Sequence, residues 1–494
     1  MISGFWIALS VAAFFTVSFA VAHLGRLHTA KGLSEYYVAG RRVGGFISAL
    51  TYSATTYSAF MMVGLVGFTY VGGVGALGFE LIYFMGVMLA VLFGVRFYLA
   101  GRTGGYVTPA QLLGAKYGSR FLQALIASVC LVFLIPYMSV QLIGSGYLLE
   151  TLSGGQIPYG LAVVTIGIIV AFYTFWGGMR AVAWTDAVQA LIMITAALTL
   201  LVYVVQILIG GFDVLALRLE AEYPELLRVP GPPRGADRWF SFPHFLGLTI
   251  PWFFFSITNP QVVQRFFIPK SVGSLRNMIR GFLLFGFTYT IIVTLLGLAC
   301  RLLIPDLPKP DLAMPTLLRL VPTPLALTVM VSILAAAVST LDSILLTLSS
   351  MATIDIYKNF RPKVSEGEAL KFGKTIIGAI TVLLILFSLR PAGLIVELSV
   401  TSSAYLLQFV PATFGAFFWR KANARAAIAS IILGCLATGI LHFTGLKPLG
   451  MWPAIWGLII SSLTFTTLSQ TLKGLPPLLD NQHIPKHRPS MKNI

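Results

Sequence analysis

Charge is scarce in this chain. Only 10% of its 494 residues are Asp, Glu, Lys or Arg, where a soluble protein carries roughly a quarter. A soluble globular fold is excluded on that ground. Cysteine is scarcer still: Cys130, Cys300 and Cys435 each sit inside an apolar run. Cys serves there as a small packing residue, so neither a disulfide framework nor a thiolate metal cluster is expected. None of the six histidines has a partner at metal-ligand spacing. Acidic residues number 17 against 34 basic ones, for a formal net charge of +17. The basic residues are spread over many short segments, so nucleic acid is not an expected partner. A phosphate-binding loop is missing too. "GEALKFGKT" (Gly367 to Thr375) has five residues between its glycines instead of four, and it leads into an apolar run.

What fills the space is apolar sequence: 57% of the residues are hydrophobic. The runs recur near the ~20 residues that a helix needs to cross a bilayer. They predict an all-α polytopic membrane protein of about thirteen spans. The expected spans lie near 3–23, 44–70, 75–98, 120–148, 158–176, 182–207 and 240–266. The rest lie near 276–302, 322–352, 370–389, 392–418, 425–443 and 449–470. The first run has no charged segment before it and reads as a retained span rather than a signal peptide. With the N-terminus outside, roughly 25 of the basic residues fall on the cytoplasmic side. Examples are Arg41, Arg42, Arg265, Lys270, Lys358, Arg361, Lys363, Arg420 and Lys421. A multi-pass protein of the cell membrane follows, with its C-terminus in the cytoplasm. Residues 1–471 form one membrane domain, 208–240 an external loop that caps the outer face, and 472–494 a disordered tail. The bilayer is its surrounding; no obligate protein partner is implied.

Polar residues inside the runs carry the functional signal. Residues 44–207 and 240–418 form two five-span blocks of similar length. Each opens with an interrupted run: "TYSATTYS" (Thr51 to Ser58) in one, "SITNPQ" (Ser256 to Gln261) with Pro260 in the other. Matching defects of this kind point to a binding site at mid-membrane. In "SILAAAVSTLDSILLTLSS" (Ser332 to Ser350), Ala336, Ser339 and Thr340 stand at i, i+3 and i+4 and share one helix face. Two hydroxyls there, a loosened carbonyl and the carbonyls around Ala54 and Tyr57 make about five neutral oxygens, a set that suits Na⁺. The plainer alternative is that both hydroxyls bond back to i−4 carbonyls or across to a neighbouring helix. Asp186 is costly within a span and is a functional candidate by default; the plainer alternative pairs it with Arg180. Asp342 and Ser343 receive no role. Glu80 and Glu397 lie near span ends and read as interfacial. An intramembrane enzyme would need an acid/base or nucleophile constellation, and none stands at credible spacing.

Three stretches together carry a resemblance: "FISALTYSATTYSAFMMVG", "YTFWGGMRAVAWTDAVQ" and "LAAAVSTLDSILLTLSSMATIDIYK". They resemble the sodium:solute symporter family, and "LLIPDLPKPDLAMPTLL" is similar to its pantothenate branch. The resemblance implies a leucine-transporter-type 5+5 inverted repeat with flanking helices. It also implies sodium-coupled import of a small organic carboxylate, vitamin or amino acid, not enzymatic activity. Ala54, Tyr57, Ala336, Ser339 and Thr340 match the family's sodium ligands. Asp186 matches an acid that aids coupling and in some members belongs to a second sodium site. Tyr137 and Trp252 match aromatic positions flanking solute. By helix placement Thr56, Ser58, Gln141, Asn259 and Tyr405 join them as candidate solute contacts. Thr56 stands where the proline branch has an acid, which disfavours proline itself. A proton-coupled symporter of the same fold, or a transporter-like membrane sensor, are the alternatives.

Overall fold

The computed structural model describes residues 2–26, 32–234, 237–390 and 393–472. The expected disordered tail lies outside the described residues. Within them, nine helices are long and apolar enough to cross a membrane. A tenth span is obtained if the pair Gly45–Thr56 and Phe60–Gly72, bent by 51°, is counted as one. Thirteen is reached only by dividing Tyr159–Ile209 in two and admitting the shorter pieces of 242–264 and Pro453–Thr471.

Tyr159–Ile209 has 51 residues. At 1.5 Å per residue it runs for about 77 Å, more than twice the hydrocarbon thickness. The break is at Gly178, with φ 67° and ψ 178°. A side chain there would be strained twice over, because its Cβ would come within 2.9 Å of the Tyr36 ring. Next to this break Arg180 pairs with Glu35 at 2.9 Å. Arg180 is therefore committed to Glu35, and the sequence-level alternative that pairs it with Asp186 does not hold.

Burial ranks the helices. Of the apolar window of Thr323–Lys358, 94% is buried, against 28% for Gly4–Arg26 and for Glu366–Ser388. The first is the axis of the molecule and the other two face lipid. Thr323–Lys358 packs along Tyr159–Ile209 and touches Gly45–Thr56. Gly45–Thr56 packs in turn on Val272–Leu303.

The second interrupted segment comprises Phe242–Phe253, Phe255–Thr258 and Pro260–Gln264. Its break at Asn259 (φ −85°, ψ 115°) closely repeats the one at Tyr57 (φ −90°, ψ 104°). Pro260 explains the second break, since it has no N–H to give and restricts the residue before it. This segment leans on Gly75–Gly104 at Gly86: a Cβ there would collide with the Phe253 carbonyl, and Ser256 donates to the Gly86 carbonyl at 3.1 Å.

The long connection after Ile209 folds back over one end of the bundle. Val74 N–H donates to the Leu226 carbonyl at 2.7 Å, and Phe240 lies against Gly72 and Gly75. At the same end Asp311, in the connection between two spans, accepts from the Ile395 N–H at 3.2 Å. Burial pushes its carboxyl up to about 7.

Candidate ion and solute site

The helix Gly45–Thr56 stops because its next donors are taken elsewhere. Tyr57 N–H still reaches the Ser53 carbonyl at 2.8 Å. Ala59 N–H, which an unbroken helix would give to Thr55, donates instead to Gln141 Oε1 at 3.1 Å. The new half-helix is then started by Ser58, whose hydroxyl accepts from Phe60 N–H at 3.1 Å. Two carbonyls of the last turn are left facing Thr323–Lys358, and its hydroxyls meet them. Ser339 Oγ donates to the Ala54 carbonyl at 3.0 Å and approaches the Ala336 carbonyl at 3.2 Å. Thr340 Oγ1 lies 3.1 Å from the Ala54 carbonyl and 3.4 Å from that of Thr55. Ala54, Ser339 and Thr340 are wholly buried. Oxygens about 2.4 Å from one hard cation stand roughly 3–4 Å from each other, so the spacing and the neutral donors fit a monovalent ion. Tyr57 contributes its extended backbone to the same turn.

One turn further along Thr323–Lys358 lies a charged cluster. Asp186 accepts from Thr51 Oγ1 at 2.6 Å and pairs with Arg265 at 3.5 Å. Arg265 also donates to Ser343, whose hydroxyl is 3.0 Å from Thr55 Oγ1. Asp186, Arg265, Asp342 and Ser343 have no exposed surface. Among the described residues, both oxygens of Asp342 and one of Asp186 lack a hydrogen-bond partner. Arg265 is a correction to the sequence analysis, which assigned it to the cytoplasmic basic residues. It is instead the largest fully buried side chain among the described residues, an inward-turned cation between acids of two other helices.

A narrow cleft of about 20 Å³ lies beside the first break, walled by Thr56, Tyr57, Phe60, Met61, Glu80, Tyr83, Tyr137, Trp252 and Phe255. Three of the seven candidate solute contacts, Thr56, Tyr137 and Trp252, line it. Ser58 and Gln141 support the break behind it. Asn259 is buried at the second break, with its amide 3.3 Å from Thr258 Oγ1. Tyr405 is elsewhere: it stacks on Phe133 and lines a separate cavity with Arg234, Glu397 and Trp452. Glu80 was missed. It is 2% exposed and accepts from Trp252 Nε1 at 3.4 Å. Its place on the third predicted span, at i, i+3 with Tyr83, was the available signal.

Two helices broken in the same way, packed against one continuous polar helix, define a multi-pass secondary transporter of the leucine-transporter fold. Solved structures share that architecture. A Na⁺-coupled sialic acid symporter in a substrate-bound outward-open state superposes with a TM-score of 0.79 at 17% identity, covering 96% of this chain and 99% of the other. Mhp1, a nucleobase-cation-symport-1 transporter, gives 0.58 at 14% identity over 88% and 94%. The profile of the sodium:solute symporter family matches residues 36–434, and the chain belongs to that family. It is 30% identical over 473 residues to the sodium/pantothenate symporter of Escherichia coli, covering 93% of this chain and 95% of the relative. It is 26% identical over 429 residues to the high-affinity proline transporter of Bacillus subtilis, covering 84% and 88%. These relatives are membrane transporters, not enzymes.

Proposed function

We propose that this protein imports a small organic solute across the cell membrane by Na⁺-coupled alternating access. Its N-terminus lies outside and its C-terminus in the cytoplasm, the arrangement that places most basic residues inside. Sodium is held by the Ala54 and Tyr57 carbonyls, the Ala336 carbonyl and the hydroxyls of Ser339 and Thr340. The observation that carries this reading is the convergence of two hydroxyls of Thr323–Lys358 on the single Ala54 carbonyl at the break. The solute occupies the cavity walled by Thr56, Tyr137 and Trp252, next to the same turn.

Because the ion's ligands come from two helices, sodium ties Gly45–Thr56 to Thr323–Lys358 and so favours the solute-ready arrangement. Each ligand raises the other's affinity by the same factor. When the two helices part on the inner side, the ligand set is divided and the ion is released. An inward-negative potential favours that direction by about 2.3 kcal/mol per charge per 100 mV.

A second reading has its own observation. Asp342 offers two unpartnered, buried oxygens beside Asp186 and Arg265, and a proton could serve there as coupling ion. Proteoliposomes separate the two. Labelled pantothenate, proline, acetate and lactate are offered under an imposed Na⁺ or H⁺ gradient, with the Ser339→Ala/Thr340→Ala variant in parallel. Sodium-driven uptake of one solute is expected, abolished in the variant or needing at least about tenfold more sodium. Uptake that follows only the proton gradient and ignores the double substitution would refute the sodium reading.

A further inference from the structure

We propose that Glu80 selects the solute, and that it does so by pairing with a protonated amine. The inference rests on the cavity beside Tyr57 being the solute site. Glu80 is a wall of that cavity and is otherwise almost enclosed. Its one hydrogen bond among the described residues is the long one from the Trp252 indole at 3.4 Å. Among the described residues no Lys, Arg or His lines the cavity, and none forms an ion pair with Glu80. A carboxylate in such a place lacks a positive partner, and a partner is what makes a buried charge tolerable.

The remaining walls suit the same partner. Trp252, Tyr83, Tyr137 and Phe255 present ring surfaces, and the faces of such rings attract a cation that has left water. Thr56 and Tyr57 belong to the turn that carries the Ala54 carbonyl. A zwitterion therefore has a partner for each charge, the sodium ligands for its carboxylate and Glu80 for its ammonium. A solute with a carboxylate and no amine meets the charge of Glu80 without compensation. At about 6 Å and an effective dielectric near 20, that repulsion weakens binding by roughly a hundredfold. Pantothenate, which has no basic amine, falls into the disfavoured class in spite of the relatives' names.

The test compares amine-bearing solutes with amine-free partners: proline with cyclopentanecarboxylate and alanine with propionate, which match in shape, and β-alanine with pantothenate, in which that amine is acylated. Binding is read from the rise in thermal unfolding midpoint of the purified full-length protein in nanodiscs. Each titration is made in sodium chloride and again in potassium chloride, for the wild type, Glu80→Gln and Glu80→Asp. The expected result is stabilisation by at least one amine-bearing member and none by its amine-free partner. Glu80→Gln should weaken that binding at least tenfold, while Glu80→Asp, which keeps the charge, should retain part of it. Stabilisation by sodium alone, retained in Glu80→Gln, shows that the variant is folded. Binding of an amine-free acid as tight as that of its partner would overturn the proposal. So would an unchanged affinity in Glu80→Gln, or no response to any amine-bearing member. The potassium arm keeps the two readings apart. Glu80-dependent amine binding that is indifferent to sodium would refute sodium symport and leave Glu80 its role, whereas sodium-dependent binding of amine-free acids would do the reverse.

Discussion

Removing Arg265 should destabilise the protein far more than removing Arg265 and Asp186 together. The two groups are 3.5 Å apart and neither has exposed surface. At that distance, with an effective dielectric near 20, their attraction is about 5 kcal/mol before desolvation is subtracted. In Arg265→Met the guanidinium is lost while Asp186 and Asp342 remain as two buried acids, and the expected cost is about 3–5 kcal/mol. In Arg265→Met/Asp186→Asn the second carboxylate is also neutralised, and the Asn carbonyl can still accept from Thr51, now 2.6 Å away. The cycle formed by these variants, Asp186→Asn and the wild type should give a coupling of about 2–3 kcal/mol. The assay is equilibrium unfolding in mixed micelles, followed by tryptophan fluorescence without sodium. Additivity to within about 0.5 kcal/mol would refute the pairing as an energetic unit. Arg265→Lys makes a further check, because one ammonium cannot readily hold both Asp186 and Ser343, and only part of the loss should be recovered.

Two other predictions concern different parts of the molecule. Burial raises the Asp311 carboxyl from its ordinary value of 3.8 to about 7 in the folded state, so the folded protein holds a proton there that the unfolded chain has released. Stability should then be greatest below about pH 4 and fall as pH rises towards 7, by at most roughly 4 kcal/mol. Asp311→Asn, which keeps an acceptor for Ile395, should flatten that slope in pH-dependent unfolding; an unchanged slope would mean that Asp311 is not its source. Gln141→Leu removes the acceptor that holds Ala59 N–H away from Thr55. An unpaired buried N–H costs about 1–3 kcal/mol, so the break should partly heal and the sodium needed for half-maximal uptake should rise about five- to a hundredfold.

The helix-face pattern of Ala336, Ser339 and Thr340 and the polar interruption from Thr51 to Ser58 were legible because both are local. One is a spacing along a helix, the other a run of hydroxyls inside an apolar span. The structure sets those two elements side by side. Arg265 could not be placed in the same way. Hydropathy reads a basic residue near the end of an apolar run as a loop charge, and cannot see that Pro260–Gln264 is one short turn past a break. Inside that turn the chain is still within the bundle, and the acids that receive Arg265 are distant in sequence. Glu80 misled for a related reason. It begins a helix, which suggests an interface, but the Phe240 ring against Gly75 covers that helix start. Tyr405 lies away from the cleft beside Tyr57 because helix membership sets depth only coarsely; its ring stacks on Phe133.

The contacts of Ser339 and Thr340 with Ala54 bear on how easily cargo is surrendered. A hydroxyl that coordinates a cation must turn its hydrogen away, while one that donates to a carbonyl points it inward. While the two helices are together, the three oxygens of the proposed sodium site can therefore trade ion ligation for hydrogen bonds by rotating two O–H bonds. An empty proposed site with the helices together strands none of these three oxygens, since both hydroxyls then bond the Ala54 carbonyl. Loading and unloading become an exchange between near-equal partners, and an exchange of that kind is readily reversed. In the proposed sodium-coupled cycle the direction of transport is then set by the gradients on either side of the membrane and not by the tightness of the grip.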